Sequence, residues 1–149
     1  MDRHFTATGI ILHNGSTLLM EHAKLNMWLP PGGHLDRNED PVQAVLREVA
    51  EETGLECALL AESRFAHEAV QEVPIPFTIM LADVLEAGST MQHIDFVYVL
   101  RPVSDPGAVA PQSAKVSGWR WVPIGQVADL PTAPEIPALI KAAADYAGQ

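Results

Sequence analysis

Residues 33–55 read GHLDRNEDPVQAVLREVAEETGL, and this stretch predicts a helix with well-marked ends. Asp40 is a good N-cap, Pro41 suits the first helical position, and Gln43 can complete a capping box. Gly54 is placed to end the helix in the left-handed conformation. The apolar residues of the segment recur at helical spacing and form one stripe that we expect to be buried: Val42, Val45, Leu46 and Val49.

Three glutamates lie on one side of this helix, beside the apolar stripe. At about 100° per residue, Glu48, Glu51 and Glu52 are neighbours and repel one another. They also lie towards the helix C-terminus, where the macrodipole disfavours negative charge by about 0.3–1 kcal/mol each. A solvated acidic face is the ordinary interpretation of such a run. A hard divalent cation is the alternative, because carboxylate oxygens are the ligands that Mg²⁺ and Mn²⁺ prefer.

The residues around the glutamates favour the cation. Arg47 lies between Glu39 and Glu51 in the sequence, at a spacing that lets it bridge both carboxylates and fix one of them in a set rotamer. Gly32 and Gly33 precede the helix, and glycines can bring backbone groups close to a phosphate or a metal. We therefore expect the helix and its preceding loop to form a functional site.

The same segment resembles the complete signature of the Nudix hydrolases. The matching positions are Gly33, Glu39 and the run REVAEETGL at residues 47–55. Looser similarity extends over most of the chain, at Trp28-Leu29-Pro30, at residues 119–123 and at residues 128–131. The resemblance implies a single domain over residues 1–149 with an α/β (α+β) fold, a Nudix-type α/β/α sandwich with a mixed central sheet.

The chain departs from the usual family pattern in the loop before the helix. Pro30 and Pro31 are doubled ahead of the glycine pair, and Asp36 replaces a common glutamate. Asn38 stands where glycine is frequent. Asparagine tolerates a positive φ better than most residues, so we expect the turn at Asn38 to survive.

The resemblance also implies roles for individual residues, with Mg²⁺ or Mn²⁺ as the cofactor. The implied metal ligands are Gly33 (through its carbonyl), Glu48, Glu51 and Glu52. The general base would be Glu51 or Glu48, and Arg47 and Glu39 complete the implied catalytic set. The candidates for substrate contacts are His34, Trp28 and Arg37. A base from a distant loop stays open, with these candidates: Glu68, Glu72, Glu86 and Asp95.

The rest of the chain predicts a sheet. Two β-type runs, residues 5–12 and 16–22, flank an Asn14-Gly15 pair that predicts a hairpin turn. The β-type runs after the helix are Ala58 to Phe65, Ile75 to Val84, His93 to Arg101 and Gly118 to Val122. Loops are predicted at Gly88-Ser89 and at residues 102–111. His93 and Asp95 alternate along one run and share a face, which favours a hydrogen-bonded structural pair or a metal or substrate contact.

A second helix is predicted near the C-terminus, beginning between Thr132 and Pro137. The apolar residues at helical spacing in this segment are Ile136, Leu139, Ile140 and Ala143. The predicted elements follow the order strands, helix, strands, helix. This order predicts a mixed sheet with helices packed on its faces.

Composition limits the class of protein. The formal net charge is −10, which disfavours binding to a nucleic-acid polymer because its phosphates would be repelled. The single cysteine, Cys57, allows no intrachain disulfide and fits a reducing compartment. No apolar stretch is long enough for a membrane span or a signal region. We expect a soluble cytoplasmic protein, monomeric or homodimeric, that does not bind membranes.

The resemblance implies metal-dependent hydrolysis of a phosphoanhydride bond in a nucleoside diphosphate linked to another moiety. A (deoxy)nucleoside triphosphate or modified nucleotide is the first candidate. The alternatives are ADP-ribose, a dinucleoside polyphosphate or a nucleotide sugar, and a non-catalytic nucleotide-binding module. Isomerisation of an isoprenoid diphosphate would need a reactive cysteine in the site, and Cys57, just past the helix, is poorly placed for that chemistry.

Overall fold

The computed structural model covers all 149 residues and contains eight strands, two α-helices and one 3-10 helix. The strands are β1 (Arg3–His13), β2 (Ser16–His22), β3 (Met27–Leu29), β4 (Gly32–His34), β5 (Cys57–Leu60), β6 (Thr78–Glu86), β7 (Ser89–Pro102) and β8 (Val116–Pro123). The helices are α1 (Pro41–Thr53), the 3-10 helix (Ile124–Asp129) and α2 (Ile136–Ala147). Neither α-helix has the combination of length and hydropathy that crossing a bilayer requires.

The sheet is mixed, as the order of elements predicts. Its centre is a parallel pair, β1 with β7, in register from Arg3 opposite Gln92 to Ile11 opposite Leu100. All other pairings are antiparallel: β4 and β2 pair with β1, β5 and β6 pair with β7, and β3 and β8 pair with β2. Strand β1 therefore contacts β4 and β7 along its N-terminal half, and this arrangement places the loop before α1 beside the middle of the sheet.

Two hydrophobic clusters lie on opposite faces of the sheet. Side chains alternate along a strand, so Ile10 of β1 lies in one cluster and its neighbour Ile11 lies in the other. Helix α2 covers the first cluster with Ile140 and its neighbours, and α1 covers the second with Val45 and Val49. This arrangement is the predicted α/β/α sandwich.

Helix α1 begins and ends where the sequence predicts. The Asp40 carboxylate accepts a hydrogen bond from the Gln43 amide at 2.9 Å, and the Gln43 side chain accepts one from the Asp40 amide at 3.0 Å. Gly54 ends the helix with φ 73°. The turn before the helix also forms, with Asn38 at φ 67°. These features follow from side chains within a few residues of one another, which explains why they can be predicted locally.

Both tight hairpins contain a residue pair with positive φ. Asn14 and Gly15 have φ 49° and 76°, as expected for the turn between β1 and β2. Ala87 and Gly88 have φ 50° and 79°, so the turn between β6 and β7 lies one residue earlier than predicted. The prediction of a loop at Ser89 was wrong because Ser89 pairs with Glu86 and begins β7.

The predicted strand from Ala58 to Phe65 is mostly absent. Only β5 forms, and between Leu60 and Phe65 the chain has one isolated bridge, from Glu62 to Ile75. The run from Ile75 likewise becomes a strand only at Thr78. Apolar residues in this stretch have no continuous partner strand, and β structure requires hydrogen bonds to such a partner. The second helix begins at Ile136, within the predicted interval.

Cys57 is half-buried at the start of β5, and burial raises the pKa of its thiol to about 11. The nucleophile in cysteine chemistry is the thiolate, so a raised pKa makes Cys57 unreactive. The position and the pKa both disfavour the isomerase alternative.

Core packing under α2 is testable at Ile140, which is fully buried. We expect Ile140→Ala to lower the free energy of unfolding by about 2–5 kcal/mol, because it removes buried methyl groups and leaves a cavity. Urea unfolding followed by circular dichroism measures this. The control is Lys141→Ala on the exposed face of the same helix, which should change stability by about 0.5 kcal/mol or less. Equal effects of the two changes would contradict the packing described here.

Candidate functional site

The candidate site lies where α1 meets β4. Gly33 of β4 pairs with Ala7 of β1, and the carboxylate of Glu48 on α1 lies directly against it. A β-carbon added to Gly33 would lie 2.7 Å from the Glu48 Oε1 atom, closer than such atoms approach in proteins. A β-carbon on Gly32 would lie 2.4 Å from the Ala7 carbonyl oxygen. Gly33 is therefore required by the close approach of α1, and Gly32 by the close approach of the β1 backbone.

The three glutamates of α1 differ in exposure. Glu48 and Glu52 are 6% and 7% exposed, whereas the Glu51 side chain is 54% exposed. Glu52 accepts a hydrogen bond from the Gly32 amide at 3.0 Å, which ties the end of α1 to the glycine pair. Two of the carboxylates are thus buried side by side and the third faces solvent at the rim.

Arg47 organises the acidic residues around it. Its guanidinium donates to both carboxylate oxygens of Glu39, at 2.7 and 2.9 Å, and to the His34 carbonyl at 3.0 Å. The predicted bridge to Glu39 is present. The predicted contact with Glu51 is also present but long, at 3.4 Å, and the same guanidinium nitrogen donates to Glu48 at 2.8 Å. Asp36 completes this ion-pair network at 3.2 Å.

Burial and charge shift the pKa values within the site. Burial is the main reason why the pKa of Glu52 is raised to about 7, and the negative charges of Glu48 and Glu51 add to the effect. The Gly32 amide opposes the shift only in part. The hydrogen bond from Arg47 lowers the pKa of Glu39 below its usual value. Glu39 is thus held ionised by the Arg47 guanidinium, while Glu52 is buried beside the negative charges of Glu48 and Glu51.

The donor set suits a hard divalent cation. The Glu48 carboxylate lies against Gly33, Glu52 accepts a hydrogen bond from the Gly32 amide, and Glu51 shares the Arg47 guanidinium with Glu48. The ligand atoms that these residues and the Gly33 carbonyl offer are all oxygens, which Mg²⁺ and Mn²⁺ prefer. Because Gly33 has no side chain, the Glu48 carboxylate can approach the backbone at this point. The residues that could hold such an ion are Gly33, Glu48, Glu51 and Glu52.

The three predicted substrate-contact residues lie in different settings. His34 adjoins Gly33, but its side chain turns towards His4, 3.3 Å away, and Glu86, 3.4 Å away. Arg37 is exposed on the turn before α1. Trp28 of β3 is half-buried against the cluster under α2, and the Arg120 guanidinium lies 5.0 Å from its ring centre. His34 follows Gly33 and Arg37 lies on the turn before α1, whereas Trp28 packs against the cluster on the α2 side of the sheet.

Of the acidic residues considered as a distant general base, Glu72 is hydrogen-bonded within its own loop. Its carboxylate accepts hydrogen bonds from Ser63 and from the amides of Arg64 and Phe65. Glu68 is exposed on the same loop. Neither of these carboxylates forms a recorded contact with α1.

Asp95 of β7 is a buried carboxylate with partners that sequence patterns did not indicate. The hydroxyls of Thr6 and Thr8 on β1 donate to it, at 3.0 Å and 2.8 Å. Burial raises its pKa, and the two hydroxyls oppose the shift. His93 does not pair with Asp95, although both side chains share a face, because its Nε2 atom contacts Glu86 at 3.3 Å. Thr6 lies opposite Asp95 only through the parallel register of β1 with β7.

Curated relatives of the chain share part of its length. The chain is 31% identical over 104 residues to the m7GpppN-mRNA hydrolase NUDT17 of Danio rerio, an alignment that covers 65% of this chain and 32% of that protein. The protein of the same name from Xenopus laevis is 57% identical over 30 residues, covering 20% of this chain and 10% of that protein. The chain therefore spans about a third or less of the curated relatives it matches.

Solved structures match over nearly the whole chain. A NUDIX-family hydrolase from Clostridium perfringens superimposes with a TM-score of 0.80 at 25% identity, covering 98% of this chain and 99% of that one. The NUDIX domain of Shewanella oneidensis NrtR, complexed with ADP ribose, gives 0.66 at 22% identity, covering 98% and 89%. A C. elegans Ap4A hydrolase complex gives 0.67 at 21% identity, covering 98% and 99%. The last two matches show a shared fold.

A family model described as the NUDIX domain matches residues 3–143, which is almost the entire chain. The matched region includes β1, the glycine pair, α1 and the first part of α2. The chain therefore belongs to the Nudix hydrolase family.

Proposed function

We propose that this protein hydrolyses a phosphoanhydride bond in a nucleoside diphosphate linked to another moiety, and that it requires Mg²⁺ or Mn²⁺. The observation that carries the proposal is the burial of Glu48 against Gly33 and of Glu52 at the Gly32 amide, with Glu51 exposed at the rim beside Arg47. Residues 1–149 form the one domain that performs this reaction. The substrate is a small nucleotide and not a nucleic-acid polymer, because a chain of net charge −10 would repel extended phosphates.

The arrangement of the glutamates costs stability unless a cation binds. Glu48 and Glu52 are buried carboxylates near the C-terminal half of α1, where the helix dipole adds to their repulsion. Arg47 compensates Glu48 but makes no recorded contact with Glu52. A divalent cation bound by these oxygens and by the Gly33 carbonyl would offset the remaining negative charge.

The cation, when bound, supplies positive charge that neutralises the diphosphate and stabilises the leaving phosphate. The residues of this chain orient the carboxylates that would bind the cation. Arg47 fixes Glu48 and Glu39, so the orientation of the buried carboxylate does not depend on the substrate. Glu52 is oriented by the Gly32 amide. Preorganisation of this kind is the usual source of catalytic rate in phosphate chemistry.

Glu51 is the better candidate for the general base. Its side chain is half-exposed, and its contact with Arg47 is long. Glu48 is buried and held by Arg47 at 2.8 Å, so it is committed to the interior of the site. A base must reach the attacking water and release its proton to solvent, and the carboxylate at the rim can do both.

The first candidate substrate is a (deoxy)nucleoside triphosphate or a modified nucleotide. The second is a nucleotide joined through its phosphates to another group. The relatives support this candidate, since NUDT17 is an m7GpppN-mRNA hydrolase, the C. elegans protein is an Ap4A hydrolase, and the NrtR domain binds ADP ribose. Arg37, exposed on the turn before α1, and His34, adjoining Gly33, are the proposed phosphate contacts. Trp28 is proposed as a base contact, with its ring already stacked against Arg120.

The proposal is tested with a panel of nucleoside triphosphates, ADP-ribose, Ap4A and a cap dinucleotide, in Mg²⁺ or Mn²⁺. We expect release of phosphate, pyrophosphate or a nucleoside monophosphate from at least one compound, abolished by chelator. Glu51→Gln should lower kcat by about 10²–10⁴-fold, as expected for loss of a general base. Because Glu51 is exposed, this variant should fold normally.

The matched control is Glu56→Gln, an exposed glutamate outside α1, which should leave the rate unchanged. Tight nucleotide binding without turnover across the whole panel would instead identify a non-catalytic binding module. Full activity of Glu51→Gln would reject Glu51 as the base.

Arg47→Lys tests the positioning role of the guanidinium. Lysine keeps the charge but lacks the planar fork that contacts Glu39, Glu48 and the His34 carbonyl together. We expect the rate to fall about 10–100-fold and the Mn²⁺ concentration needed for half-maximal rate to rise, because partners that orient metal ligands have effects of this size. Arg101→Lys, on an exposed part of β7, is the control. A variant with unchanged Mn²⁺ dependence would contradict the positioning role.

The raised pKa of Glu52 predicts that the free energy of unfolding depends on pH when a chelator removes divalent cations. The folded pKa of about 7 exceeds the ordinary value of 4.5, so the folded protein holds this proton to higher pH than the unfolded chain does. The stabilising effect of the bound proton is therefore complete at low pH and is lost as the pH rises from about 4.5 to about 7. We expect Glu52→Gln to be more stable than the natural chain by about 1–3 kcal/mol near pH 8, and by much less near pH 5.

Urea unfolding at both pH values measures this difference, with Glu56→Gln as the control. Saturating Mg²⁺ should reverse the order of stability at pH 8, because it binds only the intact carboxylate cluster. A Glu52→Gln variant that is destabilised equally at both pH values would show that the buried carboxylate is already compensated.

A further inference from the structure

A second cluster of metal-binding side chains lies at one end of the sheet, apart from the three glutamates of α1. Four strands contribute one side chain each: His34 from β4, His4 from β1, His93 from β7 and Glu86 from β6. These strands are consecutive in the sheet, in the order β4, β1, β7, β6. His4 lies directly opposite His93 in the parallel register, and β-sheet pairing therefore places all four side chains on one face.

Two of the three separations between ligand atoms are those expected around a small four-coordinate ion, and the third is longer. His4 Nδ1 lies 3.3 Å from His34 Nε2, and His34 Nε2 lies 3.4 Å from a Glu86 carboxylate oxygen. His4 Nδ1 lies 3.9 Å from the other oxygen of Glu86. In a tetrahedral zinc site with bonds of about 2.0–2.1 Å, neighbouring ligand atoms are about 3.3–3.4 Å apart. One atom from each of the three residues lies within 4.8 Å of the other two.

His93 contacts the same carboxylate from another side. Its Nε2 atom lies 3.3 Å from Glu86 Oε2, and its ring packs edge-on against His34 with the ring centres 5.1 Å apart. A carboxylate held in this way by a neighbouring imidazole keeps a set orientation, as outer partners of metal ligands do. The side chains of His4, His34 and Glu86 are 43%, 41% and 37% exposed, so an ion can reach them from solvent without a conformational change.

We propose that His4, His34 and Glu86 form a binding site for a divalent transition metal of the zinc class, with His93 orienting Glu86. Two imidazoles and one carboxylate prefer such an ion to Mg²⁺, which binds oxygen ligands almost exclusively. Three protein ligands leave a fourth position open to solvent. This site shares no ligand side chain with the glutamates of α1, although its His34 is also the residue proposed above as a phosphate contact.

A hydrogen-bonded network without a metal is the competing explanation. A neutral imidazole donates through one nitrogen and accepts through the other, so His4 and His34 can share one proton at 3.3 Å. Both explanations use the same distances, but they differ in whether Zn²⁺ binds. Metal binding would also join β1, β4 and β6 at an end of the sheet where β4 is only three residues long.

The test is a Zn²⁺ titration of the full chain without a histidine tag, in excess Mg²⁺ so that the oxygen-rich cluster is occupied. A chromophoric chelator competes for the zinc and reports its affinity. We expect one zinc ion per chain, and we expect His4→Ala and Glu86→Gln each to weaken binding at least about tenfold. His93→Ala should weaken it about 10–100-fold, as loss of an orienting partner does.

His67→Ala is the matched control, because His67 lies on a separate loop and caps its own turn. It should leave the zinc affinity unchanged, and circular dichroism without metal checks that each variant folds. Equal zinc affinity in the natural chain and in His4→Ala would overturn the proposal. So would zinc binding that is lost in Glu51→Gln but retained in Glu86→Gln, since the ion would then occupy the glutamates of α1.

A second measurement does not depend on any variant. Crystals of the natural chain grown with Zn²⁺ should show an anomalous peak at the zinc absorption edge between His4, His34 and Glu86. Diffraction that places the zinc only among the α1 glutamates, or nowhere on the chain, would reject the site.

Discussion

The candidate site depends on the close contact between the Glu48 carboxylate and the backbone of Gly33. That contact requires a residue without a side chain on β4 and a carboxylate buried on α1. Arg47 stabilises this contact, because its guanidinium donates hydrogen bonds to Glu48, to Glu39 and to the His34 carbonyl of β4. The interaction therefore joins the helix, its preceding loop and the sheet into one rigid unit. Without the guanidinium, two buried carboxylates would repel each other in a medium of low dielectric constant.

The central position of β1 explains why the two proposed metal sites involve the same short strand, β4. Its N-terminal half pairs with β4 on one side and with β7 on the other. Strand β4 carries Gly33 at its middle and His34 at its end, and successive side chains of a strand point to opposite faces. Gly33 accordingly meets α1 on one face, while the His34 side chain joins His4 and Glu86 on the other. A single short strand thus contributes to an oxygen-rich cluster and to an imidazole-rich one.

Some features could be predicted from the sequence because they depend on residues close together in the chain. The capping box at Asp40, the left-handed cap at Gly54 and the positive φ of Asn38 all depend on local backbone preferences. The α1 glutamates were found from helical spacing alone. The strand boundaries were predicted less well, because a strand forms only where a partner strand pairs with it. The run beyond Leu60 contains apolar residues but lacks a continuous partner strand, and the bridge to Ile75 brings together residues far apart in the chain.

The sequence by itself determined the family, the α1 helix with both of its ends, the acidic residues that the helix presents and the alternation of elements that makes a mixed sheet. Only the tertiary structure decided that Arg47 favours Glu48 over Glu51, that Asp95 is paired with Thr6 and Thr8, and that His4 joins His34 and Glu86. The physical reason is the range of the interactions. Caps and helical spacing act over a few residues, whereas these contacts depend on strand register and on burial, which exist only after distant segments have packed together.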